Sequence, residues 1–140
     1  MKRVLVADDK ETSRELIRTV LESSGYAVTE ASDGIEALQY ARQLQPDLVI
    51  LDLHMPRLDG FGVLAELRRD RNFAATPIMA LTASAMHSDR ERALVAGFDS
   101  YVSKPIPLPI LREEVERLLA RGRQSSDTGN AAGSGSPNQY

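Results

Sequence analysis

Two apolar runs, Val4-Leu5-Val6-Ala7 and Leu48-Val49-Ile50-Leu51, carry no polar alternation, which marks strands buried on both faces. Strand-like runs recur near 3–7, 26–30, 47–51, 77–81 and 99–103. Between them lie stretches with helical spacing near 12–24, 34–44, 59–70 and 85–96, and a fifth follows near 107–121. Leu16, Ile17, Val20 and Leu21 form an i, i+1, i+4, i+5 stripe in the first helix. Leu108, Leu111, Val115, Leu118 and Leu119 repeat it in the last. Strands alternating with helices of this length predict an α/β domain, a parallel sheet covered on both faces by right-handed crossovers.

Local signals agree with these boundaries. Thr12-Ser13-Arg14-Glu15 reads as a capping box, and Asp33 with Glu36 as a looser version. Gly25 and Gly97 stand where a helix would end in the left-handed conformation. Asp59-Gly60 after Pro56 reads as a turn and the cap of helix three, and Pro107 suits the first turn of helix five. Residues 122–140 contain no Leu, Ile, Val, Met or Phe and are rich in Gly, Ser, Asn and Gln. Such a segment buries too little to offset its ordering entropy, so the reading is a domain over 1–121 and a disordered tail or linker over 122–140.

The 140 residues fit one domain with a real core, and the lack of cysteine excludes disulfides and thiolate metal sites. A net charge of −3 gives nothing that favours nucleic acid. No stretch approaches the ~20 apolar residues of a membrane span, and no apolar signal segment precedes the first strand, so a cytoplasmic protein is expected. Lysine is scarce: only Lys2, Lys10 and Lys104 occur. Lys104, at the end of an internal apolar run, therefore invites a question.

Ligands of open α/β sheets bind beyond the carboxyl ends of the strands. The first run ends in Asp8 and Asp9, the third in Asp52, the fourth in Thr82 and the fifth in Lys104, while the second ends unremarkably in Glu30-Ala31. Taken singly, each has a bland explanation: Asp8 or Asp9 as a helix cap, Asp52 as a turn residue, Thr82 as a cap, Lys104 as surface charge. Thr12 offers a better-placed cap, which weakens the first of these. Together, matched strand ends gather acids, a hydroxyl and a lysine on one rim. At ~4 Å and an effective dielectric near ~20, each charged carboxylate pair would cost about 4 kcal/mol, a repulsion that a hard divalent cation such as Mg²⁺ relieves. The chemistry suited to this set is phosphoryl transfer to a carboxylate, with Lys104 and Thr82 supporting the phosphoryl oxygens.

The motifs Val-Ala-Asp8-Asp9, Leu-Asp52-Leu-His-Met55-Pro56-Arg-Leu-Asp59-Gly60, Ala-Leu-Thr82-Ala83 and Tyr101-Val-Ser-Lys104-Pro105 resemble those of response-regulator receiver domains of two-component signalling, over residues 1 to about 121. The resemblance implies a flavodoxin-like, doubly wound (βα)5 fold with strand order 2-1-3-4-5, which sets strand two at an edge. It implies that Asp52 is the phospho-acceptor. Asp8, Asp9 and Asp52 would hold Mg²⁺ together with the backbone carbonyl of His54. Thr82 and Lys104 would bind the phosphoryl group, and Ala83 would leave room for it. Tyr101 would change rotamer with Thr82, and the Lys104–Pro105 bond would be cis. The implied partners are a sensor histidine kinase or histidine phosphotransfer domain, and a target on the face of helix four, strand five and helix five, where the family also dimerises on phosphorylation. In relatives, positions 54 and 84 tune acyl-phosphate hydrolysis, and histidine is unusual at the first.

Other readings fare worse. Haloacid-dehalogenase-like phosphatases need a second acid two residues after the nucleophile, and here that residue is His54. A flavin carrier needs a first loop that welcomes phosphate, and Asp8-Asp9-Lys10-Glu11 would repel it. A phosphorylation-free interaction module is disfavoured by the intact set of acids, hydroxyl and lysine. A phosphohistidine role for His54 is also disfavoured, since a loop histidine is more often merely exposed; His87 reads as a surface residue. The motifs fit a stand-alone regulator and a receiver of a hybrid histidine kinase alike.

Overall fold

The structure, a computed structural model, describes residues 1–83 and 87–128; the side chains of His87 and of 122–128 are outside the description. The expected surface position of His87, the expected tuning position 84 and residues 129–140 of the expected 122–140 tail therefore lie outside the described residues. Five strands, β1 (Arg3–Ala7), β2 (Ala27–Ala31), β3 (Leu48–Asp52), β4 (Ile78–Thr82) and β5 (Ser100–Ser103), form one parallel sheet of order β2-β1-β3-β4-β5. The helices are α1 (Glu11–Ser23), α2 (Gly34–Leu44), α3 (Gly60–Arg68), α4 (His87–Ala96) and α5 (Leu108–Thr128). No helix among the described residues is long and apolar enough to cross a membrane.

The unbroken apolar runs explain the layering. Successive strand residues point to opposite faces, so both faces of β1, β3 and β4 are apolar. Val4, Val6, Leu48, Ile50, Met79 and Leu81 meet α1 and α5 through Ile17, Leu21, Leu111 and Val115. Leu5, Val49, Leu51, Ile78 and Ala80 face α2, α3 and α4 through Ala37, Ala41, Val63, Leu67 and Ala93. Burying each larger aliphatic side chain contributes roughly 1.5–3 kcal/mol.

Several boundaries differ from expectation. The capping box at Thr12 does not form. The helix begins at Glu11 with Lys10 as its cap, whose side chain makes no capping bond. Asp8 Oδ1 accepts from the Lys10 N–H at 2.9 Å instead, so the acid turns the chain into the helix and Thr12 falls inside it. Helix three stops at Arg68, and Asp70 then caps a short 3-10 turn, Arg71–Phe73, by accepting from Asn72 N–H. Helix five continues to Thr128, beyond its predicted end at 121. The predicted caps at Asp33 and Asp59 do form, accepting from Glu36 N–H and Gly62 N–H. Gly25 and Gly97 hold φ of 95° and 119°, where a side chain would be strained.

Two polar anchors went unread in the sequence. Glu114, 6 % exposed, accepts from Ser100 Oγ at 2.6 Å and pairs with Arg117, tying α5 to the start of β5. Arg68 donates Nη1 to the carbonyls of Phe73 and Thr76, both at 2.9 Å, and Nη2 to Asp99 Oδ2 at 2.8 Å. Asp99 Oδ2 also accepts from Ile78 N–H, so one guanidinium fixes the entry into β4. Arg68→Ala is expected to lower stability by about 2 kcal/mol in denaturant titration, with Arg68→Lys recovering only part, since an ammonium cannot span the same fork.

Candidate functional site

Parallel register brings the strand ends together. The last β1–β3 pair is Ala7 with Leu51, so Asp8 and Asp52 follow side by side. Asp52 pairs with Leu81 and Thr82 with Ser103, which sets Thr82 and Lys104 on the adjoining strand ends. The Lys104 N–H donates to Thr82 O at 2.7 Å. Asp8 is 0 %, Asp52 4 % and Thr82 0 % exposed, whereas Asp9 lies at the surface. One carboxylate oxygen from each of Asp8, Asp9 and Asp52 lies within 4.8 Å of the others.

Lys104 crosses the cluster. Its ammonium donates to Asp8 Oδ2 at 2.8 Å and to Asp52 Oδ2 at 3.2 Å, with a longer contact to Ser13 Oγ at 3.4 Å. The other oxygen of Asp52, Oδ1, accepts from His54 N–H at 2.9 Å. The His54 residue is exposed, as expected of a loop histidine. Burial, aided by the charge of Asp8, raises the Asp52 pKa above the ordinary carboxylate value, against the lowering pull of His54 N–H and Lys104. Burial also opposes the charge on Lys104, but its hydrogen bond to Asp8 and the charges of Asp52 and Asp8 outweigh that and raise its pKa.

The loop after Asp52 is tightly held. Gly60 N–H donates to Leu53 O at 3.1 Å, and a Cβ on Gly60 would stand 2.6 Å from Asp52 O, so only glycine lets α3 sit against the strand end. Within the loop Leu58 N–H donates to Pro56 O at 2.7 Å across Arg57, which takes φ of 71°. A side chain there costs roughly 1–3 kcal/mol, and the Arg57 guanidinium stands 3.6 Å from Asp33 Oδ2 at the start of α2.

The other predicted residues fall nearby in different settings. Ala83 is exposed just beyond Thr82. Tyr101, 7 % exposed, packs in the core cluster with Ala93 and Phe98, and burial raises its pKa. The Lys104–Pro105 bond is cis. Sequence reasoning missed Ser13, Arg14 and Glu30, whose roles rest on contacts between separate elements. Arg14 Nη1 donates to Asp8 O at 2.8 Å and its Nε to Glu30 Oε1 at 2.9 Å.

Mg²⁺ chemistry fits this donor set: oxygens ~2.1 Å from an octahedral ion lie ~3–4 Å apart, inside the observed spread. Three carboxylates against one ammonium also leave a surplus of negative charge that a divalent cation would balance.

Comparison with known proteins agrees with the geometry. The family model for the response regulator receiver domain matches residues 4–116. The chain is 42 % identical over 123 residues to the DNA-binding dual master transcriptional regulator RpaA of Synechocystis sp., covering 88 % of this chain and 48 % of that protein. It is 36 % identical over 118 residues to the polar-differentiation response regulator DivK of Brucella ovis, covering 84 % and 96 %. The chain thus spans about half the length of one relative and nearly all of the other. Among solved structures, the receiver domain of sensor histidine kinase PA1611 from Pseudomonas aeruginosa, with a magnesium ion in its active-site cleft, aligns with a TM-score of 0.79 at 34 % identity, covering 85 % of this chain and 98 % of that one. With sheet order, strand-end chemistry and relatives in accord, the chain belongs to the response regulator receiver domain family of two-component signalling.

Proposed function

We propose that this receiver is a phosphorylation-controlled switch in which Asp52 accepts a phosphoryl group from phosphohistidine on a sensor kinase or histidine phosphotransfer domain. The observation that carries the reading is the buried Asp52 sharing the Lys104 ammonium with Asp8. An Asp52 oxygen forms the new bond to phosphorus, the phosphorus–nitrogen bond breaks, and the departing imidazole keeps the electron pair. Mg²⁺, held by Asp8, Asp9, Asp52 and the His54 carbonyl, supplies charge neutralisation for the phosphoryl oxygens when bound. Lys104 spends its hydrogen bonds on Asp8, Asp52 and Ser13 in the unmodified chain, so engaging a phosphoryl oxygen requires it to exchange one of them. Thr82 donates its hydroxyl to a further oxygen, and Ala83 leaves the approach open.

Movement of Thr82 toward the new group frees space that Tyr101 fills, which alters the α4–β5–α5 face offered to a target or a second copy. Taking such an equilibrium from 1:99 to 99:1 needs roughly 5.5 kcal/mol, within reach of a few charge-assisted bonds. Residues 1–121 carry this function in the cytoplasm, either alone or within a longer protein.

Phosphoramidate with Mg²⁺, followed by intact mass, tests the reading. One phosphoryl adduct is expected, and almost none in EDTA. Failure to form any adduct, with no spectral response to beryllofluoride, would replace the switch with a pure interaction module.

A further inference from the structure

The acidic loop is held from behind by a pair of charges that the phosphoryl chemistry does not use. Asp8 stands where β1 leaves the sheet, its N–H donating to Ala31 O at 3.1 Å. Its own carbonyl accepts from Arg14 Nη1 at 2.8 Å. Arg14 lies in the first turns of α1, where its N–H donates to Lys10 O at 3.1 Å. Its Nε reaches across to Glu30 of the edge strand β2 at 2.9 Å. Glu30 is doubly occupied, since its second oxygen accepts from Arg18 Nη1 at 2.7 Å. Both partners are largely covered, with side chains 15 % and 22 % exposed.

We propose that Arg14 and Glu30 are positioning residues, which orient the Asp8 peptide so that the Asp8 and Asp9 carboxylates point together at one divalent cation. The inference rests on the cation site described above. Because the carbonyl of Asp8 belongs to the peptide that leads into Asp9, fixing its direction fixes the departure of Asp9 as well. Glu30 fixes Arg14 in turn, because a carboxylate with both oxygens engaged has little rotamer freedom.

Electrostatics alone predicts the opposite sign. A guanidinium behind the carboxylates repels a cation, so removing it would tighten binding if charge were its only influence. A merely structural tie between α1 and β2 would lower stability and leave cation affinity alone. The sign and size of the affinity change therefore separate the roles.

The test uses the full chain with Arg14→Gln, Arg14→Lys and Glu30→Gln, measuring Mg²⁺ affinity by calorimetry and by amide NMR shifts, with thermal midpoints in EDTA. Both Arg14 variants are expected to bind Mg²⁺ about tenfold more weakly, in the range lost with outer-shell partners, and Glu30→Gln roughly threefold. Saturating Mg²⁺ should restore phosphoramidate labelling in all of them. Unchanged affinity, whatever the midpoints do, overturns the inference, as does tighter binding by Arg14→Gln. A wild-type chain that takes up no Mg²⁺ overturns the cation site itself and the inference with it. Normal wild-type uptake with unchanged variants overturns the inference alone.

Discussion

Asp52→Asn is expected to take no phosphoryl group from phosphoramidate and, in the absence of divalent cation, to unfold at a higher temperature than the wild type. Loss of labelling follows from the acceptor oxygen being replaced by an amide nitrogen that is a poor nucleophile. The gain in stability follows from burial. Asp52 has a folded-state pKa raised by burial and by Asp8, so the native state holds its proton more tightly than the unfolded chain does. Stability from this group is full below the ordinary carboxylate value and is lost as pH rises through the raised one. At neutral pH the ionised Asp52 thus weighs against folding, and asparagine removes that burden while leaving Lys104 to Asp8. The gain is expected as a rise of a few degrees in the thermal midpoint at neutral pH, about 1 kcal/mol in a domain of this size. Thermal unfolding across the acidic to neutral range should show the two proteins converging at low pH. Labelling that persists in Asp52→Asn would move the acceptor elsewhere.

Lys104→Ala is expected to have the opposite effect on the fold. It leaves Asp8 and Asp52, both buried, without the ammonium that now bridges them at 2.8 and 3.2 Å. Breaking a buried pair from one side typically costs about 3–5 kcal/mol, and urea unfolding in EDTA should show a loss near the lower figure because Lys104 is partly accessible. The Lys104 pKa is raised, so the wild type keeps this contribution through neutral pH and loses it as pH climbs through that raised value. Mg²⁺ should recover more stability in the variant than in the wild type, since the cation then meets uncompensated carboxylates. Equal recovery in both proteins would show that the lysine does not balance the acids.

The parts of this molecule legible in its sequence were those written locally. Unalternated runs such as Leu48–Leu51 disclosed strands, and the residues that end them disclosed which side chains gather on one rim, because parallel strands share one direction. What escaped depended on partners far apart in the chain. Glu30 looked ordinary at the end of its run, yet it receives Arg14 and Arg18 from the neighbouring helix. The staple from Arg68 to Asp99 likewise has no local trace. Thr12 misled because its capping motif is local, whereas Asp8 competes successfully for the helix entrance by bonding to Lys10 N–H.

The bond from Gly60 to Leu53 has a consequence for how this protein tolerates change. It closes residues 53–59 into a small ring of main chain, pinned at one end to β3 and at the other to α3. Exchanging the exposed His54 for another amino acid alters what protrudes from that ring without altering its circumference. Adding or deleting a residue changes the circumference itself and pulls the helix off the strand. Variation here is therefore confined to spelling and closed to length.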